Sequence, residues 1–364
     1  MLKALKKRSR MKITKIPLIL VGVLFSLFLF NACQTTKIFY IDYLNPAKIN
    51  FPKELKKVGI VNTVVSDYTT QKTKPKWEKN KALLLGDAAL LTESLAEHLA
   101  EANYFDEVVI YDSIIRLGED NAESQPLTTE EVNNLVDLLQ VDFLISVEDI
   151  ILNAEMNEYL ISEFIISQLE VETKASMKAY LPNRVSHIFK DQITDTLYWD
   201  LNDPANFYMK EKQLVEEASI FAGERLASRL APQWKTAERL LYIDGNKTLR
   251  EANKLIKKNQ WESAFDLWND FYNSSDNVKN KMKAALNIAV YYEMKDDFEK
   301  AISWATLATD LAYEVDEVQD RTPNQIYGSY HYIPIKSYLD VLKKRADSSI
   351  QLEQQMNRFN DENN

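Results

Sequence analysis

The 364 residues include 46% hydrophobic and 11% aromatic side chains, enough for packed cores and too many for a disordered chain. Fifty-four acids against 44 lysines and arginines give a formal charge of −10, a poor match for nucleic acid, whose affinity comes from neutralising phosphates. One cysteine and three histidines exclude an internal disulfide framework and leave little for a metal site.

The chain opens on Lys3, Lys6, Lys7, Arg8, Arg10, Lys12 and Lys15, followed by an apolar run from Ile16 to Phe30 and then Asn31-Ala32-Cys33. Charge, grease, small residue and cysteine in that order form a bacterial lipoprotein signal. The run is shorter than the roughly 20 residues a spanning helix needs, which suits a cleaved signal. Ala32 meets the small-residue requirement, while Phe30 and Asn31 are bulkier than usual. Either Met1 or Met11 opens a complete signal. Residues 1–32 are expected to be removed and Cys33 to be acylated, giving firm membrane attachment. Losing the seven cations takes the formal charge from −10 to −17. Lipidation would also leave the mature chain without a free thiol.

Residues 33–52 read as a tether ending in an edge strand near Ile38–Tyr43, and residues 53–235 as an α/β domain with a mixed sheet. Within it, Lys56–Val65 reads as a buried strand and 66–81 as a basic exposed loop containing Lys72, Lys74, Lys76, Lys79 and Lys81. Ala82–Asn103 reads as one helix and Phe105–Tyr111 as a strand. Thr128 and Glu131 have the spacing of a capping box opening a helix to about Gln140, ahead of a strand from Val141. Two long antiparallel strands are expected between Phe164 and Asp200 with a turn at Pro182-Asn183, then a helix from Lys210 to Leu230 stopped by Pro232.

Residues 236–364 read as an all-α domain containing a repeat of about 37 residues, Asn246–Asp276 and Lys283–Tyr313. Ala252, Leu255, Trp261, Ala264 and Trp268 fall on core positions in the first copy, as do Ala289, Tyr292, Phe298, Ala301 and Ala308 in the second. Both copies resemble tetratricopeptide repeats, departing in the bulky Phe271, the absent terminal proline and the longer period. Tyr338–Arg358 is expected to cap the stack. Arg250, Asn253, Lys283, Asn287 and Met294 are the candidate partner-binding residues, on the concave side of the inner helices. Carboxylate-clamping tetratricopeptide domains carry asparagines at the positions matching Asn253 and Asn287, although Leu249 stands where their lysine would be.

No nucleotide, hydrolase or zinc motif is present, and the seven glycines leave no phosphate-cradling loop. His98, His187 and His331 are far apart in sequence. No catalytic residue, cofactor or metal is expected.

Asp42–Lys48 (DYLNPAK), Lys57–Asn62 (KVGIVN) and Ala284–Ala289 (AALNIA) resemble an uncharacterised family of Bacteroidota lipoproteins, domain of unknown function 6340, over nearly the whole mature chain. The resemblance implies a lipoprotein with this two-part architecture and brings no activity or binding residues. The strand–helix order of the first part is also similar to small periplasmic lipoprotein domains related to curli-secretion channels and peptidoglycan-synthase activators, an analogy of element order alone.

These readings lead to a non-catalytic outer-membrane lipoprotein whose helical repeats bind a protein or peptide. The alternatives are an assembly factor or synthase activator acting through the α/β domain, and a hydrolase built around His187. Gln34–Lys37 lack an acidic run, which favours the periplasmic face.

Overall fold

The computed structural model describes residues 35–65, 77–113, 115, 125–161, 164–201 and 211–359. Cys33 and the loop residues Lys72, Lys74 and Lys76 lie outside them. The chain divides into two units. One holds residues up to Ile41 with Glu238–Lys344, and the other Asp42–Ala237 with residues from Arg345 onward.

The sheet unit is built on strands β2 (Lys57–Asn62), β3 (Lys81–Leu85), β4 (Glu107–Ile110), β5 (Phe143–Ile161), β6 (Phe164–Tyr180) and β7 (Phe189–Leu201). Their order is β4-β2-β5-β6-β7, with β3 on β5. β2 runs parallel to β4 and β5, and the remaining pairs are antiparallel, so the sheet is mixed as expected. Helices α1 (Ala88–Glu101) and α3 (Glu211–Leu230) cover one face with Leu91, Leu95, Leu99, Leu214, Ala218 and Leu226, against Ile60, Phe143 and Val171. The shorter α2 (Thr129–Leu139) covers part of the other face, where Val132, Leu135 and Val136 meet Val61, Leu144 and Tyr180. The Thr128–Glu131 capping box forms as read. At Gly223 of α3, a Cβ would come within 2.6 Å of the Leu91 carbonyl oxygen, so only glycine allows α3 to approach α1 this closely.

Four departures from the sequence reading have simple causes. Lys81–Leu85 is a strand, not the first turn of a helix: Ala82 and Leu84 turn inward and Leu83 outward, a period too short to separate from a helix by pattern. The helix starts later, where the Asp87 side chain accepts from the Ala89 and Leu90 amides. β5 continues to Ile161 because Ile150, Leu152 and Ala154 keep alternating toward the helices past a register shift after Val147. Residues 42–52 are not a free tether: Phe51 packs 5.3 Å from Phe105 and 5.2 Å from Phe143, and the buried Ala47 amide donates to Gln355 Oε1. The end of the chain joins this unit too, through Arg358 on the Leu55 carbonyl, instead of only capping the repeats.

The helical unit holds α4 (Lys247–Ile256), α5 (Trp261–Ser274), α6 (Val278–Met294), α7 (Phe298–Val315), the short α8 (Pro323–Tyr327) and the first half of α9 (Tyr332–Met356). The two pairs α4–α5 and α6–α7 match the two expected repeat copies. A strand unseen in the sequence, β8 (Gln233–Tyr242), follows Pro232 and pairs with β1 (Thr36–Asn45). Phe39 and Ile41 of β1 and Leu241 and Tyr242 of β8 enter the helical core beside Trp261, Trp268 and Leu286.

Candidate functional site

The five residues expected on an open concave surface do not share one. Asn287 is fully buried on α6: its Nδ2 donates to the Tyr242 carbonyl at 2.7 Å and its Oδ1 accepts from the Tyr242 amide at 2.8 Å. Lys283, one turn earlier, is also buried, with its ammonium 5.5 Å from the Tyr242 ring centroid. Burial and the neighbouring Lys279 push its pKa down. Met294 is half-buried in the helical core. Arg250, paired with Asp244 at 2.8 Å, is exposed, and Asn253 is half-buried. β8 fills the space where a peptide was expected.

Two polar clusters surround that strand. The Arg239 guanidinium of β8 makes two bonds of 2.7 Å to Glu293 of α6, and Tyr338 Oη donates to the same carboxylate at 2.9 Å. Tyr242 Oη lies 2.6 Å from His331 Nδ1, while Asp316 accepts the backbone amides of His331 and Tyr332. These groups are buried and mutually satisfied, the pattern of structural polar networks. Above them lies an open cleft of about 590 Å³ walled by Thr36, Ile38, Leu240, Tyr327, Tyr330 and Pro334. A smaller cavity of about 240 Å³ shares Leu240 and Pro334 and runs toward Val341.

His331 makes this cluster sensitive to acid. Burial holds its imidazole below the ordinary range, helped by Lys279 and Lys283 and opposed by Asp316. The unfolded chain therefore binds a proton near pH 6.5 before the folded one does, so stability present above about pH 6.5 is lost as pH falls toward the folded value. Melting curves should show a smaller loss between about pH 7 and 5.5 in His331→Gln than in the wild type. Equal losses would sink this assignment.

The sheet unit has a broad polar cleft of about 640 Å³ over β3, β5, β6 and β7, lined by Lys81, Asn153, Glu155, Glu170, Glu172 and Thr196. Its carboxylates are committed: Glu155 to Lys81 at 2.9 Å, Glu172 to Lys174 and Asn153, and Glu170 to Tyr159. Hydrogen bonds hold Glu170 and Glu172 below the usual range, so both are ionised at neutral pH and neither is a general acid. No group of acids, cysteines or histidines among the described residues is arranged to hold a metal. His187 is exposed, its ring 6.3 Å from that of Tyr180.

The β5–β6 hairpin of the same unit carries exposed apolar pairs among its described residues. Leu160 of β5 faces Ile165 of β6 as a cross-strand pair, 76% and 69% exposed. The next pair, Tyr159 and Ile166, is exposed on the opposite face of the ribbon.

A sequence family covers most of this unit and runs on to the end of β8. A model described as Domain of unknown function (DUF8603) matches residues 55–242, more than half of the chain. The chain belongs to DUF8603. That match takes in β2 through β8, and with them the exposed hairpin. A second model, Domain of unknown function (DUF6340), matches residues 250–344. The DUF6340 resemblance is thus narrower than the sequence motifs implied: Ala284–Ala289 falls inside it, while Asp42–Lys48 and Lys57–Asn62 fall outside.

Among solved structures, a minor lipoprotein from Acinetobacter baumannii is 8% identical, with 48% of this chain and 87% of that one covered at a TM-score of 0.22. Rare lipoprotein B from Shewanella oneidensis is 14% identical, with 48% and 92% covered at the same score. At that score neither likeness describes the fold of this DUF8603 chain. No curated protein matches it. No helix among the described residues is long and apolar enough to cross a membrane.

Proposed function

We propose that this DUF8603 protein is a non-catalytic lipoprotein of the outer membrane, anchored through Cys33 and facing the periplasm, that works by gripping another envelope protein. The gripping element is the β5–β6 hairpin of the sheet unit, and the two helix pairs are a tetratricopeptide-like support. This takes the assembly-factor alternative over a repeat groove, because β8 occupies the face of α6 that a peptide would need.

The exposed Leu160–Ile165 pair carries the reading. A two-stranded ribbon apolar on both faces is costly to leave in water and prone to pair with other chains, so monomers blunt such ends with charge or cover. Buried in an apolar recess of a partner, the two side chains would contribute roughly 1.5–3 kcal/mol each. The acidic surface fits a protein partner and not a nucleic acid.

Cross-linking in the native envelope tests it, with a photoreactive residue at the exposed Ile166 both in the otherwise wild-type chain and in a Leu160→Asp/Ile165→Asp variant. The partner captured by wild type should be lost from the variant. Its melting temperature should move little, since exposed substitutions usually change stability by about 0.5 kcal/mol or less. A partner retained in full by the variant would refute the hairpin as the contact.

A further inference from the structure

The open cleft of the helical unit lies close to the expected lipid. β1 begins at Thr36, three residues after Cys33, and Thr36 is itself in the cleft wall. Three residues of extended chain reach at most about 11 Å. An acylated Cys33 therefore keeps Thr36, at one edge of this wall, within about 11 Å of the lipid attachment point. The cleft is lined to match: Tyr327 and Tyr330 are 79% and 69% exposed, and Ile38 is nearly half exposed. Tyrosine, with an apolar body and a polar tip, concentrates at membrane interfaces.

We infer that Thr36, Ile38, Leu240, Tyr327, Tyr330 and Pro334 form a membrane-docking face that sits in the interfacial layer of the phospholipid bilayer holding the Cys33 lipid. The lipid supplies the anchor, and this face fixes how the helical unit stands on the membrane. The inference rests on acylation of Cys33, so its test measures that separately.

Thioether-linked Cys33 leaves the mature chain with no free thiol, so an introduced cysteine can be labelled alone. Full-length lipoprotein would be purified as Ile38→Cys, Tyr327→Cys, Tyr330→Cys and Asp266→Cys variants, labelled with a polarity-sensitive fluorophore and reconstituted in phosphatidylethanolamine–phosphatidylglycerol vesicles. Asp266 is the control: it is exposed on α5, whose Trp261 packs 4.7 Å from Phe39, on the face of β1 opposite Ile38. Lipids brominated on the acyl chain should quench the labels at 38, 327 and 330 at least about threefold more than the label at 266, as expected for side chains at the headgroup–acyl boundary. Mass spectrometry of the N-terminal peptide reports the diacylglycerol. Lipid present with equal quenching at all four sites would overturn the docking face and leave the anchor standing. A peptide without lipid would overturn both.

Discussion

Replacing Glu293 with alanine should cost the helical unit about 3–5 kcal/mol, the typical loss when one partner of a buried ion pair is removed. Glu293 is fully buried and Arg239 nearly so, and the pair joins β8 to α6 through two parallel bonds of 2.7 Å. Tyr338 adds α9 to the same carboxylate, with its ring 5.3 Å from the guanidinium carbon. The alanine variant leaves a nearly buried cation without its carboxylate, and that desolvation is the larger part of the loss. Denaturant unfolding should show the midpoint falling at nearly constant slope. The double variant Arg239→Met/Glu293→Leu should recover most of the loss, because a packed apolar pair avoids the desolvation altogether. A single variant that costs less than about 1 kcal/mol would mean that water reaches the pair and that it is ordinary surface chemistry.

What could be read from the sequence follows the range of the signal. Local signals held: the Thr128–Glu131 capping box, the helix from Glu211 to Leu230 and the 37-residue spacing from Trp261 to Phe298 at the starts of α5 and α7 each depend on nearby residues. The mixed sheet also followed, from alternating strands and helices. Failures came where burial depends on a distant partner. Lys81–Leu85 carries too few residues to show a period, and it is a strand because β5 lies alongside. β8 has Trp234 and Lys235 in its outer half and no clean alternation, so nothing marked it before its pairing with β1. That one omission undid the expected binding surface. With β8 unseen, Lys283 and Asn287 looked like free polar residues on an inner helix face. Leu160 and Ile165 failed in the opposite sense, since an apolar alternating stretch reads as core whether or not anything covers it.

Asn287→Ala should therefore act on folding and not on partner binding. The Asn287 side chain points from α6 at an extended backbone. That backbone belongs to the chain itself. The Asn287 amide meets both the N–H and the C=O of Tyr242, as a neighbouring strand would, at the end of β8 where the ladder has no further strand to offer. Alanine leaves a buried donor and a buried acceptor unpaired, each worth about 1–3 kcal/mol of lost solvation. The expected loss of about 2–5 kcal/mol should come with loosening of β8, seen as faster hydrogen exchange at Leu241 and Tyr242. Asn253→Ala on the half-buried face of α4 should change stability by about 0.5 kcal/mol or less. The contrast separates the two uses of an asparagine. Were these residues a peptide clamp, both variants would fold normally and both would lose the partner. If Asn287 holds the chain's own strand, only its variant is destabilised, and any partner gripped by the Leu160–Ile165 hairpin stays bound to whatever fraction of the sheet unit remains folded.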